Sequence, residues 1–279
     1  MVESVQLRNG VTLEYVDHGR PSGLPVVMLH GATDSWRSFE RVLPHLPSSL
    51  RAIAVSLRGH GGSSRPEGGY RFIDFSSDVE MFLDALGIRA ALIVGHSMGS
   101  YVAQRFAMDH PRRVLGLVLM GSFPTMRGNT GVQEMWDSTV STLTDPVDRG
   151  FIREFQESTV ARPVPPTLLE TAVRESQRVP ARVWRAAFAD LLDADFSHEL
   201  RRITAPTLIM WGDQDVFCSR SDQDVLLQRI PDAQLIVYRG AGHAFHWEDP
   251  VQFSRDLEAY VMRGGREPLT GSHSAVAFS

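Results

Sequence analysis

The chain has 279 residues, with 28 basic and 33 acidic side chains and a formal net charge of −5. At 43% hydrophobic and 22% charged it reads as a globular chain of one large or two small domains, at roughly 150 residues per domain, with a core that needs neither disulfide nor metal to form. Every basic residue is Arg, so the chain has no lysine for a Schiff base, a Ser–Lys dyad or a Walker motif, and its mild acidity gives no reason to expect nucleic acid or an anionic membrane as partner.

The N-terminus lacks a basic segment followed by an apolar run, so no signal peptide is expected. Ser4–Arg8, Asn9-Gly10 and the alternating Val11–Val16 predict a hairpin. Short continuous apolar runs follow at Val26–Leu29, Ala52–Val55, Ala91–Val94, Leu115–Met120, Thr207–Trp211 and Leu235–Tyr238. Such runs suit strands buried on both faces of a mainly parallel sheet. Between them, Phe75, Val79, Phe82, Leu83 and Leu86 mark one helix, stopped at Gly87, and Met98–Asp109 marks a second. This alternation is the α/β pattern. From about Ser122 to Ile203 the strand pattern lapses, and amphipathic pieces at Val132–Val140, Phe151–Val160, Thr167–Arg178 and Ala181–Leu192 are punctuated by prolines. This reads as a helical lid, 122–203, inserted into a core of 1–121 and 204–263. The small, polar residues of 264–279 read as a flexible tail. No stretch approaches the roughly 18 apolar residues of a transmembrane helix. Cys218 is the single cysteine, which excludes an intrachain disulfide and fits a reducing, cytoplasmic setting.

The apolar run ending at Val94 leads directly into Gly95-His96-Ser97-Met98-Gly99 and then a helix. A strand-to-helix turn this sharp forces its central residue into a strained conformation, and the glycines remove Cβ atoms that would clash. Ser97 is therefore the candidate nucleophile. It needs a base, which should lie after it in the chain, preceded by an acid. Asp213 and Asp215 both follow the strand Thr207–Trp211, and spacing does not separate them. Gly242-His243 follows the next strand, which favours His243 over His30, His60 and His246. Acyl transfer also needs backbone donors for an oxyanion. Met98, after the nucleophile, and Ala32, in the loop His30-Gly31-Ala32-Thr33, are the candidates.

Other features read more plainly. His243-x-x-His246 with Asp249 lacks an HExxH signature or a thiolate cluster, so no metal is expected. Cys218 reads as a small buried residue. Arg58-Gly-His-Gly-Gly-Ser63 lacks a phosphate-loop pattern and reads as a structural loop. His30, Phe123, Trp136, Trp184 and Phe188 are candidate substrate contacts, although lid packing explains the lid aromatics equally well.

Taken together, His30-Gly31, Arg58-Gly-His-Gly-Gly-Ser63, Gly95-His-Ser-Met-Gly99, Trp211-Gly-Asp-Gln-Asp215 and Gly242-His243 give a chain that resembles the α/β-hydrolase superfamily, in particular its small lidded bacterial esterases, lactonases and C–C hydrolases. The resemblance implies an α/β-hydrolase fold: a mostly parallel eight-stranded sheet, helices on both faces and a helical lid. It also implies a two-step acyl-enzyme mechanism without cofactor, and it assigns the acid to Asp215. Relatives acting as dehalogenases or epoxide hydrolases carry Asp where this chain has Ser97. C–C hydrolases usually have Asn and Trp where it has His96 and Ala244. Ser56 and Ser219 replace an Asp and a Pro often seen in the family, at positions without a catalytic role. The expectation is a serine hydrolase of a small, apolar ester or lactone. C–C hydrolysis, cofactor-free perhydrolase or haloperoxidase activity, and a hydrolase-fold receptor are the alternatives. The expected partner is a small-molecule substrate, and a homo-oligomer is compatible with the sequence.

Overall fold

The computed structural model describes residues 1–264, so all but the first residue of the expected tail lies outside it. The N-terminal hairpin pairs β1 (Val2–Gln6) with β2 (Thr12–Gly19), in antiparallel register from Val2 opposite Val16 to Gln6 opposite Thr12. It turns at Gly10, which has φ +84°, and Asn9 Oδ1 accepts from Val11 N at 3.1 Å. The apolar runs form β3 (Leu24–Leu29), β4 (Leu50–Val55), β5 (Ala91–His96), β6 (Val114–Met120), β7 (Thr207–Gly212) and β8 (Ala233–Tyr238). They assemble in the order β1-β2-β4-β3-β5-β6-β7-β8, with every neighbouring pair from β4 to β8 parallel. The continuous apolar texture has a direct cause. Val27, Leu29, Ile53, Val55 and Ile93 face one core, while the alternate residues Val26, Met28, Ala52, Ala54 and Leu92 face another.

Helix α1 (Phe72–Ala85) starts three residues before the apolar spacing predicts, because Asp74 Oδ2 accepts from Arg71 N at 3.0 Å. It is followed by α2 (Met98–Asp109). Between β6 and β7 lie α3 (Thr130–Ser138), α4 (Arg149–Ser158), α5 (Pro166–Gln177) and α6 (Ala181–Asp193). Asn129 caps α3 and Asp148 caps α4 through their side-chain oxygens, and prolines open α5 and precede α6. The sheet is completed by α7 (Arg220–Arg229), the short α8 (Phe245–Glu248) and α9 (Pro250–Met262), none of which the apolar periodicity predicts. Phe75, Phe82 and Phe106, from α1 and α2, cover one face of the sheet; Phe253, Leu257 and Tyr260 of α9 cover the other. No described helix is long and apolar enough to cross a membrane.

Candidate active site

β5 passes into α2 through Ser97, at φ 53° and ψ −120°, a conformation that costs of the order of 1–3 kcal/mol in a residue with a side chain. The neighbours explain the glycines. A Cβ on Gly95 would lie 2.3 Å from the Gly99 carbonyl oxygen, and one on Gly99 would lie 2.3 Å from that of Leu29. Helix and strand can approach this closely only without those atoms. Ser97 N donates to Met120 O at 2.9 Å, anchoring the turn to β6. Met98 opens α2, so its N–H belongs to the first helical turn, which lacks intrahelical acceptors.

Asp213 and Asp215 have different surroundings. Asp213 Oδ1 accepts from Gly240 N at 2.6 Å on the exposed surface. Asp215 Oδ2 meets His243 Nδ1 at 2.7 Å, while its Oδ1 accepts from Phe217 N and Cys218 N at 2.8 and 3.0 Å. A carboxylate can only accept, so Nδ1 carries the proton and Nε2 is the unprotonated nitrogen of the neutral ring. His243 is 4% exposed. The loop that carries it fits against β7 because Gly212 has no Cβ; one built there would lie 2.3 Å from the carbonyls of Ala241 and Gly242.

Ser97, His243 and Ala32 line one cleft, between the sheet's carboxyl edge and the helices α3, α4 and α6. Phe123 and Phe188 also line it. His30, Trp136 and Trp184 do not. His30 instead ties two loops together, with Nδ1 on Gly31 O at 2.7 Å and Nε2 accepting from Leu57 N at 2.9 Å. Trp184 stacks behind Phe188 with ring centroids 6.0 Å apart, and Trp136 packs half-buried against the core. Met98 is not on the cleft wall either, and its side chain is wholly buried in the core. The Arg58 loop is structural: its guanidinium forms a buried ion pair with Asp78, and His60 Nδ1 meets Arg58 O at 2.8 Å.

Asp34, His96, Gln156 and Phe217 reach the cleft wall without having been singled out by the sequence as wall residues. Asp34 is 5% exposed, and burial pushes its carboxyl up to about 7. Burial also depresses the imidazoles of His30, His60, His96 and His246, so they are neutral near pH 7. Asp215, Cys218 and His243 place donor atoms within 4.8 Å of one another. Cys218 donates to Gly121 O at 3.2 Å, and burial followed by the Asp215 charge pushes its thiol up, away from thiolate.

A family model described as the alpha/beta hydrolase fold matches residues 25–250. The chain belongs to the α/β-hydrolase family. It is 28% identical to the non-heme chloroperoxidase of Streptomyces lividans over 92% of this chain and 99% of that one. It is 30% identical to 2-hydroxy-6-oxononadienedioate/2-hydroxy-6-oxononatrienedioate hydrolase 2 of Pseudomonas putida, covering 87% of this chain and 89% of that one. Among solved structures, the esterase of Exiguobacterium antarcticum superposes with a TM-score of 0.83 at 26% identity, over 94% of this chain and all of that one. The α/β-hydrolase has esterase, chloroperoxidase and dienedioate-hydrolase relatives.

Proposed function

We propose that this α/β-hydrolase is a serine hydrolase that cleaves a carboxylic ester or lactone of a small, largely apolar substrate through an acyl-enzyme. The observation that carries this reading is the 2.7 Å bond between Asp215 and His243 Nδ1 at the edge of the cleft that also holds the strained Ser97. Asp215 fixes the tautomer, which leaves Nε2 to take the Ser97 proton as Oγ attacks the carbonyl. The backbone N–H groups of Met98 and Ala32 hold the developing oxyanion. His243 then protonates the leaving alkoxide, and activates a water that releases the acid and restores Ser97. Phe123, Met126, Phe155 and Phe188 on the cleft wall support an apolar substrate.

The test is steady-state hydrolysis of p-nitrophenyl esters of increasing chain length, of lactones and of a vinylogous 1,5-diketone, each beside Ser97→Ala. Ester or lactone turnover should fall by about 10⁴-fold or more in the variant. Retained turnover in folded Ser97→Ala would overturn the mechanism, and diketone cleavage with poor ester turnover would move the assignment to C–C bonds. The likeness to a chloroperoxidase supports a second reading, in which peroxide replaces water as acyl acceptor. Peroxide-dependent bromination would reveal it.

A further inference from the structure

Among the described residues, two other than glycine have a positive φ: Ser97 at 53° and Thr33 at 67°. The turn that presents the nucleophile accounts for Ser97. Thr33 has no place in the reaction, and its side chain is buried off the cleft wall. A β-branched residue in the left-handed region is an outlier that persists only where its surroundings hold it. Asp34 N donates to Gly31 O at 3.3 Å, closing Gly31-Ala32-Thr33-Asp34 into a turn. Of its two central residues only Thr33, the second, has positive φ, which is the type II pattern and ordinarily calls for glycine there.

What holds Thr33 comes from the helices inserted between β6 and β7. Ser176 of α5 donates from Oγ to Thr33 O at 3.3 Å, and the same Oγ lies 3.0 Å from Thr33 Oγ1. A hydroxyl has one proton, so with the Ser176 proton on the carbonyl the Thr33 hydroxyl donates back. Gln156 of α4 adds a second tie, its Nε2 donating to Ser176 Oγ at 2.8 Å and to Asp34 Oδ1 at 3.2 Å. Thr33, Ser176 and Gln156 are each at most 2% exposed, so water does not compete for these bonds. Without the clamp, Thr33 is free to relax to negative φ, which turns over the peptide that joins it to Ala32. Ala32 is on the cleft wall, and its setting there changes with the turn.

We propose that Ser176 is a positioning residue for acyl transfer: from α5 it holds Thr33 in the left-handed region and thereby fixes Ala32 in the oxyanion hole. The oxyanion loop then has its working shape only while α4 and α5 are seated on it. Ser176 does not line the cleft, so it acts without touching a substrate bound there.

The inference rests on the reading of Ser97 as nucleophile, and the experiment separates the two. The substrate is the ester or lactone of the panel above with the highest kcat/KM. The enzymes are the unaltered protein, Ser97→Ala, Ser176→Ala and the double variant Thr33→Gly/Ser176→Ala. In Ser176→Ala kcat should fall by about tenfold or more, toward the roughly 10²–10³-fold cost of losing a whole oxyanion donor. KM should stay within about threefold, because the oxyanion exists only beyond the ground state. Glycine takes positive φ without strain, so the double variant should recover kcat to within about threefold of the unaltered protein. A serine that only stabilises the fold predicts the reverse, since the second substitution would add to the loss. Unchanged kcat in folded Ser176→Ala, or a loss that Thr33→Gly does not restore, overturns the inference. Should Ser176→Ala not fold, Thr33→Val and Thr33→Gly decide. Both delete the hydroxyl and only valine keeps the strain, so kcat should be about tenfold lower or more in Thr33→Val; equal rates in the two overturn the inference. Turnover in Ser97→Ala, or none in the unaltered protein, defeats the catalytic reading itself.

Discussion

Asp215 accepts from two backbone N–H groups through one oxygen, which leaves the other for His243. The two backbone donors hold the carboxylate plane, so the imidazole it meets is held in turn. Asp215→Asn keeps the shape but lets an amide N–H face Nδ1, which favours the wrong tautomer. It is expected to lower kcat by about 10³–10⁴-fold with little change in melting temperature. Steady-state rates beside a thermal melt would check this, and a variant within tenfold of the parent would contradict the assigned role. Asp34 leads to a different prediction. Its carboxyl rises from 3.8 to about 7 on burial, so the folded chain holds that proton more tightly than the unfolded one. Stability from this group is therefore present at acid pH and falls as pH rises from about 4 to about 7. Asp34→Asn should be more stable than the parent at pH 8 by about 2–4 kcal/mol, at ~1.4 kcal/mol per pH unit, and equal to it at pH 4. Urea unfolding at both pH values decides it; an equal difference at both would show that the charge is not the cause. Ser97 and His243 are legible as candidates in the sequence because each follows an apolar run in a glycine-marked loop, whereas spacing leaves Asp213 and Asp215 unseparated and only the family resemblance selects Asp215. Asp34 is not legible, because its surroundings depend on Gln156 of α4, 122 residues away, whose Nε2 donates to it.

Among the elements, the turn from β5 to α2 has the least freedom. Gly99→Ala places a Cβ against the Leu29 carbonyl, backbone to backbone, where no rotamer can relieve it. A loss of about 3 kcal/mol or more is expected, read as a lower denaturant midpoint. A midpoint unchanged from the parent would show that α2 can draw back from β3. Ser219, where relatives often carry proline, has its own local reason. Its hydroxyl accepts from Asp222 N at 3.2 Å, and Asp222 accepts from Ser219 N at 2.7 Å, closing both ends of a capping box on α7. Ser219→Ala should cost about 1 kcal/mol, or about 2 °C in melting temperature. This helix marks the edge of what periodicity reveals. Only Gln223 and Leu226 of α7 are buried, too few to print a stripe. α9 similarly begins at Asp249-Pro250, with Asp249 Oδ1 accepting from Gln252 N at 2.9 Å. The strands and the four helices between β6 and β7 are legible for the opposite reason, since their apolar residues recur at the spacing of the faces they bury.

At the scale of the molecule, the cleft is a gap between two layers. Its floor is the sheet's carboxyl edge, and its roof draws on α3, α4 and α6. Phe188 projects from α6 into that roof with Trp184 stacked behind it. Phe188→Ala should enlarge the cleft and shift the optimum of an ester series toward longer acyl chains, at a cost of about 3 kcal/mol or more in stability if the space stays empty. An unchanged chain-length profile would place the acyl group elsewhere. The wall could not be listed from sequence, because which aromatic faces inward depends on how the roof helices rotate on the sheet; Trp136 and Phe188 look alike until that rotation is known.

The buried imidazoles reach beyond catalysis. His60 and His246 are depressed to about 4 and about 3, while an unfolded chain takes up the same protons near pH 6.5. Their contribution to stability is present above about pH 6.5 and drains away as pH falls toward those values. Acid therefore acts on this protein through its interior, by protonating rings that only an opened fold can accommodate, and whether activity returns after a brief acid pulse tells whether that opening is reversible.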